Sequence, residues 1–122
     1  MKSKISVKIG GSAGSGVFTI GLLLSKYFKT VGLNVFYTTD YPSLIKGGHN
    51  TCCIRTEDNE INAESINHDV LVALDNLTIQ EDLKYLNKGG VLICDEKADV
   101  NTKDFHVVRL PYQTLLDGQD KR

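Results

Sequence analysis

The chain predicts an α/β fold, an open and mainly parallel sheet with helices on both faces. Three observations carry that prediction. Strand-like apolar runs alternate with helical patterns along the sequence; "DVLVAL" (69–74) is apolar almost throughout, as a strand covered on both faces requires; and a glycine-rich turn joins the first strand to the first helix. A chain of 122 residues has the length of one domain, and residues 1–122 read as a single unit.

Ile5 to Ile9 alternate apolar and polar, giving a short strand with one better-buried face that the following glycines are expected to stop. Val17, Ile20, Leu24, Phe28 and Val31 then fall at helical spacing, with Leu23 and Tyr27 widening the stripe, and Gly32 suits the left-handed position that ends a helix. "NVFYTT" (34–39) makes a second strand and the start of a βαβ unit. "HNTCCIRT" and "EIN" flank the turn-prone "EDN", which predicts an antiparallel hairpin added to the sheet. "DVLVAL" follows, closed by Asp75. In "TIQEDLKYLNKGG", Thr78 and Glu81 have capping-box spacing, Ile79, Leu83 and Leu86 form a stripe, and Gly89 supplies the stop. "VLIC" and "FHVVRL" read as two further strands, and "YQTLLDG" begins a helical turn. The assembled prediction is a Rossmann-like open sheet.

Composition narrows the function. A net charge of −1 with interspersed acids and bases offers no electrostatic footprint for nucleic acid or an anionic membrane. No apolar stretch approaches the roughly 20 residues that span a bilayer, and "MKSKISVKIGG" lacks the core and cleavage site of a signal peptide, so the expected location is cytoplasmic. Cys52, Cys53 and Cys94 have no C-x-x-C spacing, which suggests free thiols and neither a disulfide framework nor a metal site.

The stretch "KIGGSAGSGVF" carries the chemistry. At the end of a parallel strand, the first turn of the next helix presents unpaired N–H groups and a partial positive charge, so an anion binds there without a basic side chain. Gly10, Gly11, Gly14 and Gly16 fit a phosphate cradle, to which Ser12 and Ser15 add hydroxyl donors, and Gly21 lets the helix lie close to the sheet. The spacing misses both common nucleotide fingerprints. G-x-G-x-x-G would need glycine at Ile9, and the P-loop would need lysine at Val17. Asp40, past the second strand, could mimic the ribose-binding acid of a dinucleotide site.

A second constellation, "DYPSLIKGGHNTCCIR" (40–55), sets a lysine, two glycines and a histidine beyond the second strand. Together "GGSAGSGVFTIGLLLSKYF", "YPSLIKGGHNTCCIR" and "DVLVALD", in that order, resemble the gamma-type domain of the 2-oxoacid:ferredoxin oxidoreductases, over about residues 4–112. The resemblance is greatest to the 2-oxoglutarate type, where that domain lies at the N-terminus of the larger subunit. It implies an α/β domain of a complex that decarboxylates a 2-oxoacid on thiamine diphosphate. Electrons there pass through iron–sulfur clusters to ferredoxin, and the acyl group passes to coenzyme A. The domain itself carries no catalytic residue and no metal; thiamine diphosphate, magnesium and the clusters belong to partner domains or chains, and docking to thiamine-binding alpha and beta subunits is implied. Residue by residue, the family's loop falls on Gly11, Ser12, Ala13, Gly14, Ser15 and Gly16, and its basic turn on Lys46, Gly47, Gly48 and His49. Coenzyme A has a pyrophosphate for the helix amides and a 3′-phosphate for Lys46.

The familiar gamma domain runs on past Arg122, so the resemblance implies a truncated domain, with the remainder either missing from a fragment or encoded elsewhere; dimerising is one way to hide the exposed edge. His49 reads either as a ligand contact or as a histidine satisfied by backbone, Arg55 as a salt-bridge or interface residue, and His68 and His106 as structural. Two rivals remain from the residues alone: a free-standing NAD or flavin module, and a purely structural docking domain whose glycines only shape a turn.

Overall fold

The computed structural model describes residues 5–12, 14–40, 49–57 and 67–114. Its elements are β1 (Ile5–Ser12), α1 (Val17–Thr30), β2 (Asn34–Asp40), β3 (His49–Glu57), β4 (His68–Ala73), α2 (Asn76–Asp82) with a short 3-10 turn (Leu83–Tyr85), β5 (Leu86–Asp95) and β6 (His106–Leu110). They form one six-stranded sheet in the order β2-β3-β1-β4-β5-β6. β3 runs antiparallel to β1 and β2, while β1, β4, β5 and β6 pair in parallel.

The antiparallel addition is a wedge. β3 pairs with β1 from Ile5↔Thr56 to Ser12↔His49, and with β2 from Asn34↔Glu57 to Asp40↔Thr51. Both of its edges are thus occupied, one by β1 and the other by β2; the expected partner "EIN" lies outside the described residues. The β1–α1–β2 crossover therefore skips one strand position, which β3 fills.

Helices cover both faces. α1 lies over Val7, Ile9, Cys52 and Ile54, with Val35, Tyr37, Val70 and Val72 packed alongside. α2 lies over Leu71, Ala73, Leu92 and Cys94 on the other face. Ile9, Ile54, Leu71 and Leu92 are the largest apolar side chains sealed at the sheet's centre; each contributes roughly 2 kcal/mol by leaving water.

Of the stripe that the spacing predicts for α1, Val17, Leu24 and Phe28 pack into the core, whereas Ile20 and Val31 do not, so the buried face is rotated from the predicted one. Val17, Gly21 and Ser25 are buried, whereas Ile20 (37% exposed), Leu23 (63%), Tyr27 (60%) and Val31 (54%) look outward. The helix is apolar on most sides, so periodicity cannot choose the face, and the small residues decide it. A Cβ on Gly21 would stand 2.5 Å from Cys52 Sγ and 2.9 Å from the Tyr37 ring, so the expected close approach is present.

Two boundaries also shift. β1 continues through Gly10, Gly11 and Ser12 rather than stopping at the glycines, because β3 and β4 pair with them. α2 begins three residues earlier than the Thr78 box implies: Asp75 is the cap, its Oδ1 accepting from Thr78 N at 3.0 Å and Thr78 Oγ1 at 2.7 Å. It also ends sooner, since Leu86 already pairs with His68, and Gly89 (φ 79°) sits in the irregular stretch of β5 between that pair and Val70↔Val91. Of "YQTLLDG", Tyr112–Thr114 are helical and the rest lies outside the described residues. Among the described residues no helix is long and apolar enough to cross a membrane.

Candidate functional site

In an open α/β sheet, ligands gather at the carboxyl ends of the strands where successive connections leave in opposite directions. Here that point is the end of β1: α1 leads away to β2 on one side, and β4 begins the series on the other. The glycine loop hangs from it. Ser15 N and Ser15 Oγ both donate to Ser12 O, at 3.0 and 2.6 Å, closing the turn.

The four glycines divide into two pairs. A Cβ on Gly10 would lie 2.6 Å from Thr78 Cγ2, and one on Gly11 would lie 2.6 Å from Ser15 Oγ and 2.9 Å from Leu74 Cβ. These two are bare so that α2 and the β4 end can close on β1. Gly14 (φ 85°) and Gly16 (φ 94°) have open space where a Cβ would stand. They take left-handed backbone that other residues adopt at a cost, and they leave the outside of the turn clear.

Gly16 is the N-cap of α1, with no side-chain cap bond and no acid in the first turn. The positive end of a 14-residue helix is therefore not neutralised by a cap or by a first-turn carboxylate. Cys52 fixes that end from beneath: burial first, then the neighbouring Cys53, pushes its thiol up to about 12, so it stays protonated and donates to Val17 O at 3.6 Å.

Ser12 and His49 are directly opposed across β1 and β3, which brings the glycine loop beside the end of the "KGGH" segment. Ala13, Lys46, Gly47 and Gly48 lie outside the described residues. His49 is buried, and its Nε2 is 3.2 Å from Asp82 Oδ2; the expected backbone partner is replaced by this carboxylate. Asp82 also accepts from Lys8 Nζ at 2.9 Å, so one buried carboxylate ties β1, β3 and α2 together behind the loop. Further down the same face Ser6 Oγ and His68 Nδ1 are 2.8 Å apart, and burial, reinforced by the Lys8 charge, lowers His68 to about 4. The sequence offered no signal for Asp82, whose partners are 33 and 74 residues away. The hint for Lys8 was its alternate position in β1.

A cavity of about 400 Å³ opens beside the loop at the ends of β4 and β5. Leu74 links the two: it lines the cavity, stands against Gly11 and donates its N–H to Gly10 O at 2.9 Å. Asp40, by contrast, ends β2, and β3 separates that strand from β1, putting the two about 10 Å apart. A dinucleotide site needs the acid on the neighbouring strand, so the wedge removes that geometry.

Comparison with known proteins agrees with this architecture. Residues 6–120 match the family model described as pyruvate ferredoxin/flavodoxin oxidoreductase. A 2-oxoglutarate synthase subunit KorC from Archaeoglobus fulgidus is 34% identical over 61 residues, half of this chain and 33% of that protein. A 2-oxoacid:ferredoxin oxidoreductase alpha subunit from Sulfolobus is 28% identical over 76 residues, 62% of this chain but 12% of that subunit. The chain thus spans a third or less of the length of these relatives. Among solved structures, the 2-oxoglutarate:ferredoxin oxidoreductase of Magnetococcus marinus, with 2-oxoglutarate, coenzyme A and succinyl-CoA bound, superposes with a TM-score of 0.84 at 17% identity, over 98% of this chain and 22% of that one. The keto/oxoacid ferredoxin oxidoreductase gamma subunit of Geobacter sulfurreducens gives 0.79 at 16% identity, over 97% of this chain and 68% of that one. The chain therefore belongs to the pyruvate ferredoxin/flavodoxin oxidoreductase family and has the fold of its gamma domains.

Proposed function

We propose that the chain is the coenzyme-A-binding and assembly domain of a 2-oxoacid:ferredoxin oxidoreductase, of the 2-oxoglutarate class. The observation that carries this is the open left-handed turn at Gly14 and Gly16, which leads into an α1 N-terminus with no side-chain cap and no first-turn acid at the switch point of the sheet. Such a terminus suits a pyrophosphate. The Magnetococcus relative of the same fold holds coenzyme A, and the KorC relative is a 2-oxoglutarate synthase subunit; both support the substrate class.

In this proposal the amides around Gly14 and Gly16 take the pyrophosphate, Ser12 and Ser15 border it, and Lys46 meets the 3′-phosphate. His49, held by Asp82, stands opposite Ser12 and follows Lys46, Gly47 and Gly48 in the sequence. Thiamine diphosphate, magnesium and iron–sulfur clusters are assigned to partner domains or chains, where the bond-breaking steps occur. The outward stripe of Ile20, Leu23, Tyr27 and Val31 on α1 supplies an apolar docking face for the thiamine-binding subunits. Three free cysteines fit a reducing cytoplasm.

The rival of a purely structural glycine turn accounts for Gly10 and Gly11 by crowding and for Gly14 and Gly16 by their positive φ, but not for an α1 N-terminus with neither a side-chain cap nor a first-turn acid. Calorimetry with coenzyme A separates the two. Gly14→Asp, which sets a carboxylate beside the phosphates, and Lys46→Ala should each weaken binding at least tenfold; unchanged affinity in both would remove the site.

A further inference from the structure

The three cysteines stand in different settings. Cys52 is sealed beneath α1, its thiol pushed up to about 12 and bonded to Val17 O, and Cys94 is buried, which raises its thiol as well. Cys53 is half-buried and points to the opposite face of the sheet from Cys52. That face is polar there. Cys53 stands opposite Lys8 on β1 and opposite Thr38 on β2, the edge strand, while Arg55 stands opposite Ser6 and Phe36.

A histidine and a hydroxyl complete the cluster. His68 Nε2 is 4.0 Å from Cys53 Sγ, and Ser6 Oγ is 2.8 Å from the ring's other nitrogen. Ser6 and His68 are only 8% and 4% exposed, so the ring is held in place and the thiol is the member of the three with an open side. Burial lowers His68 to about 4; Lys8 and Arg55 act in the same direction, against Asp82 and Asp69. The imidazole is therefore neutral at pH 7. With Ser6 donating to Nδ1, its one ring proton sits on Nε2 and faces the sulfur. The cations that oppose an imidazolium here, Lys8 and Arg55, favour a thiolate.

We propose that Cys53 is a nucleophilic thiol that exchanges with small-molecule disulfides, with His68 donating to its sulfur and Ser6 orienting His68. These roles do not depend on the coenzyme A reading of the glycine loop. Cys53 Sγ attacks one sulfur of the disulfide; a new S–S bond forms to Cys53 as the old one breaks, and the thiol proton ends on the departing thiolate. One disulfide is consumed and one is made, so the step needs no other oxidant. Excess thiol reverses it, which makes the position a reversible modification site.

Oxidised glutathione tests this on the full chain, with the modified cysteine located by mass spectrometry after digestion. One glutathione per folded chain, on Cys53, is expected, while Cys52 and Cys94 stay unmodified. The pH at which the Cys53 rate is half-maximal should lie about half a unit or more below that of the same cysteine in the chain unfolded in urea. His68→Phe keeps a ring but removes its N–H, and should bring that midpoint up to the unfolded value with the circular dichroism unchanged. Ser6→Ala should move it the same way by less. A folded midpoint at or above the unfolded one, or modification of Cys52 or Cys94 as fast as that of Cys53, overturns the proposal. So does a midpoint that stays put in a folded His68→Phe. If His68→Phe does not fold, Ser6→Ala decides, and an unshifted midpoint there overturns the part given to His68 and Ser6.

Discussion

Gly10 and Gly14 are four residues apart in one glycine-rich run, yet they meet opposite surroundings. A Cβ on Gly10 would strike Thr78 at 2.6 Å, inside the layer between β1 and α2, whereas one on Gly14 would meet nothing within 4 Å. Behind Gly10 lies a polar interior in which Asp82 accepts from Lys8 Nζ and meets His49 Nε2. Around Gly14 lies a turn with left-handed backbone and an uncapped helix end. A glycine count therefore overstates a ligand site: half of this run makes the packing possible, and the other half is the half a ligand can use.

Substitutions on the two sides should separate stability from binding. Asp82→Ala strands a nearly buried Lys8 and costs about 4 kcal/mol in urea unfolding. A loss below about 1 kcal/mol would mean that the interior is wetter than its contacts imply. His68 gives the same region a pH signature. Its imidazole stays neutral in the fold until about pH 4, while the unfolded chain takes up the proton near 6.5. Stability should hold above pH 6.5 and fall by up to roughly 3 kcal/mol as pH drops towards 4. His68→Gln should flatten that part of the profile. Gly10→Val, which drives a branched side chain into Thr78, should cost about 2 kcal/mol. Gly14→Ala should cost only about 1 kcal/mol, from left-handed backbone alone, with no clash. If Gly10→Val proves as mild as Gly14→Ala, the two halves of the run are not different after all.

Much of this was legible in the sequence. Strand-length apolar runs and the strand–glycine–helix order carry the α/β class, and the three quoted segments carry the family. The wedge of β3 was not legible, because strand order depends on pairings between residues more than forty positions apart, such as Ile5↔Thr56. The buried face of α1 was legible only in part: the spacing picks out Val17, Leu24 and Phe28, which pack on the sheet, but it also rewards Ile20 and Val31, where close packing selects Gly21 and Ser25. In α2 the capping box at Thr78 and Glu81 was outcompeted by Asp75, whose carboxylate reaches both the N–H and the hydroxyl of Thr78. Of the loop residues, spacing could not distinguish Gly11 from Gly14, since the distinction lies in Leu74, sixty residues on.

The most direct test is amide NMR of the chain titrated with coenzyme A. The amides of Gly14, Gly16 and Val17 should move on binding, and those of Gly10 and Gly11, paired within the sheet, should move far less. Saturable binding that leaves Gly14, Gly16 and Val17 unshifted would place the ligand elsewhere and contradict the account.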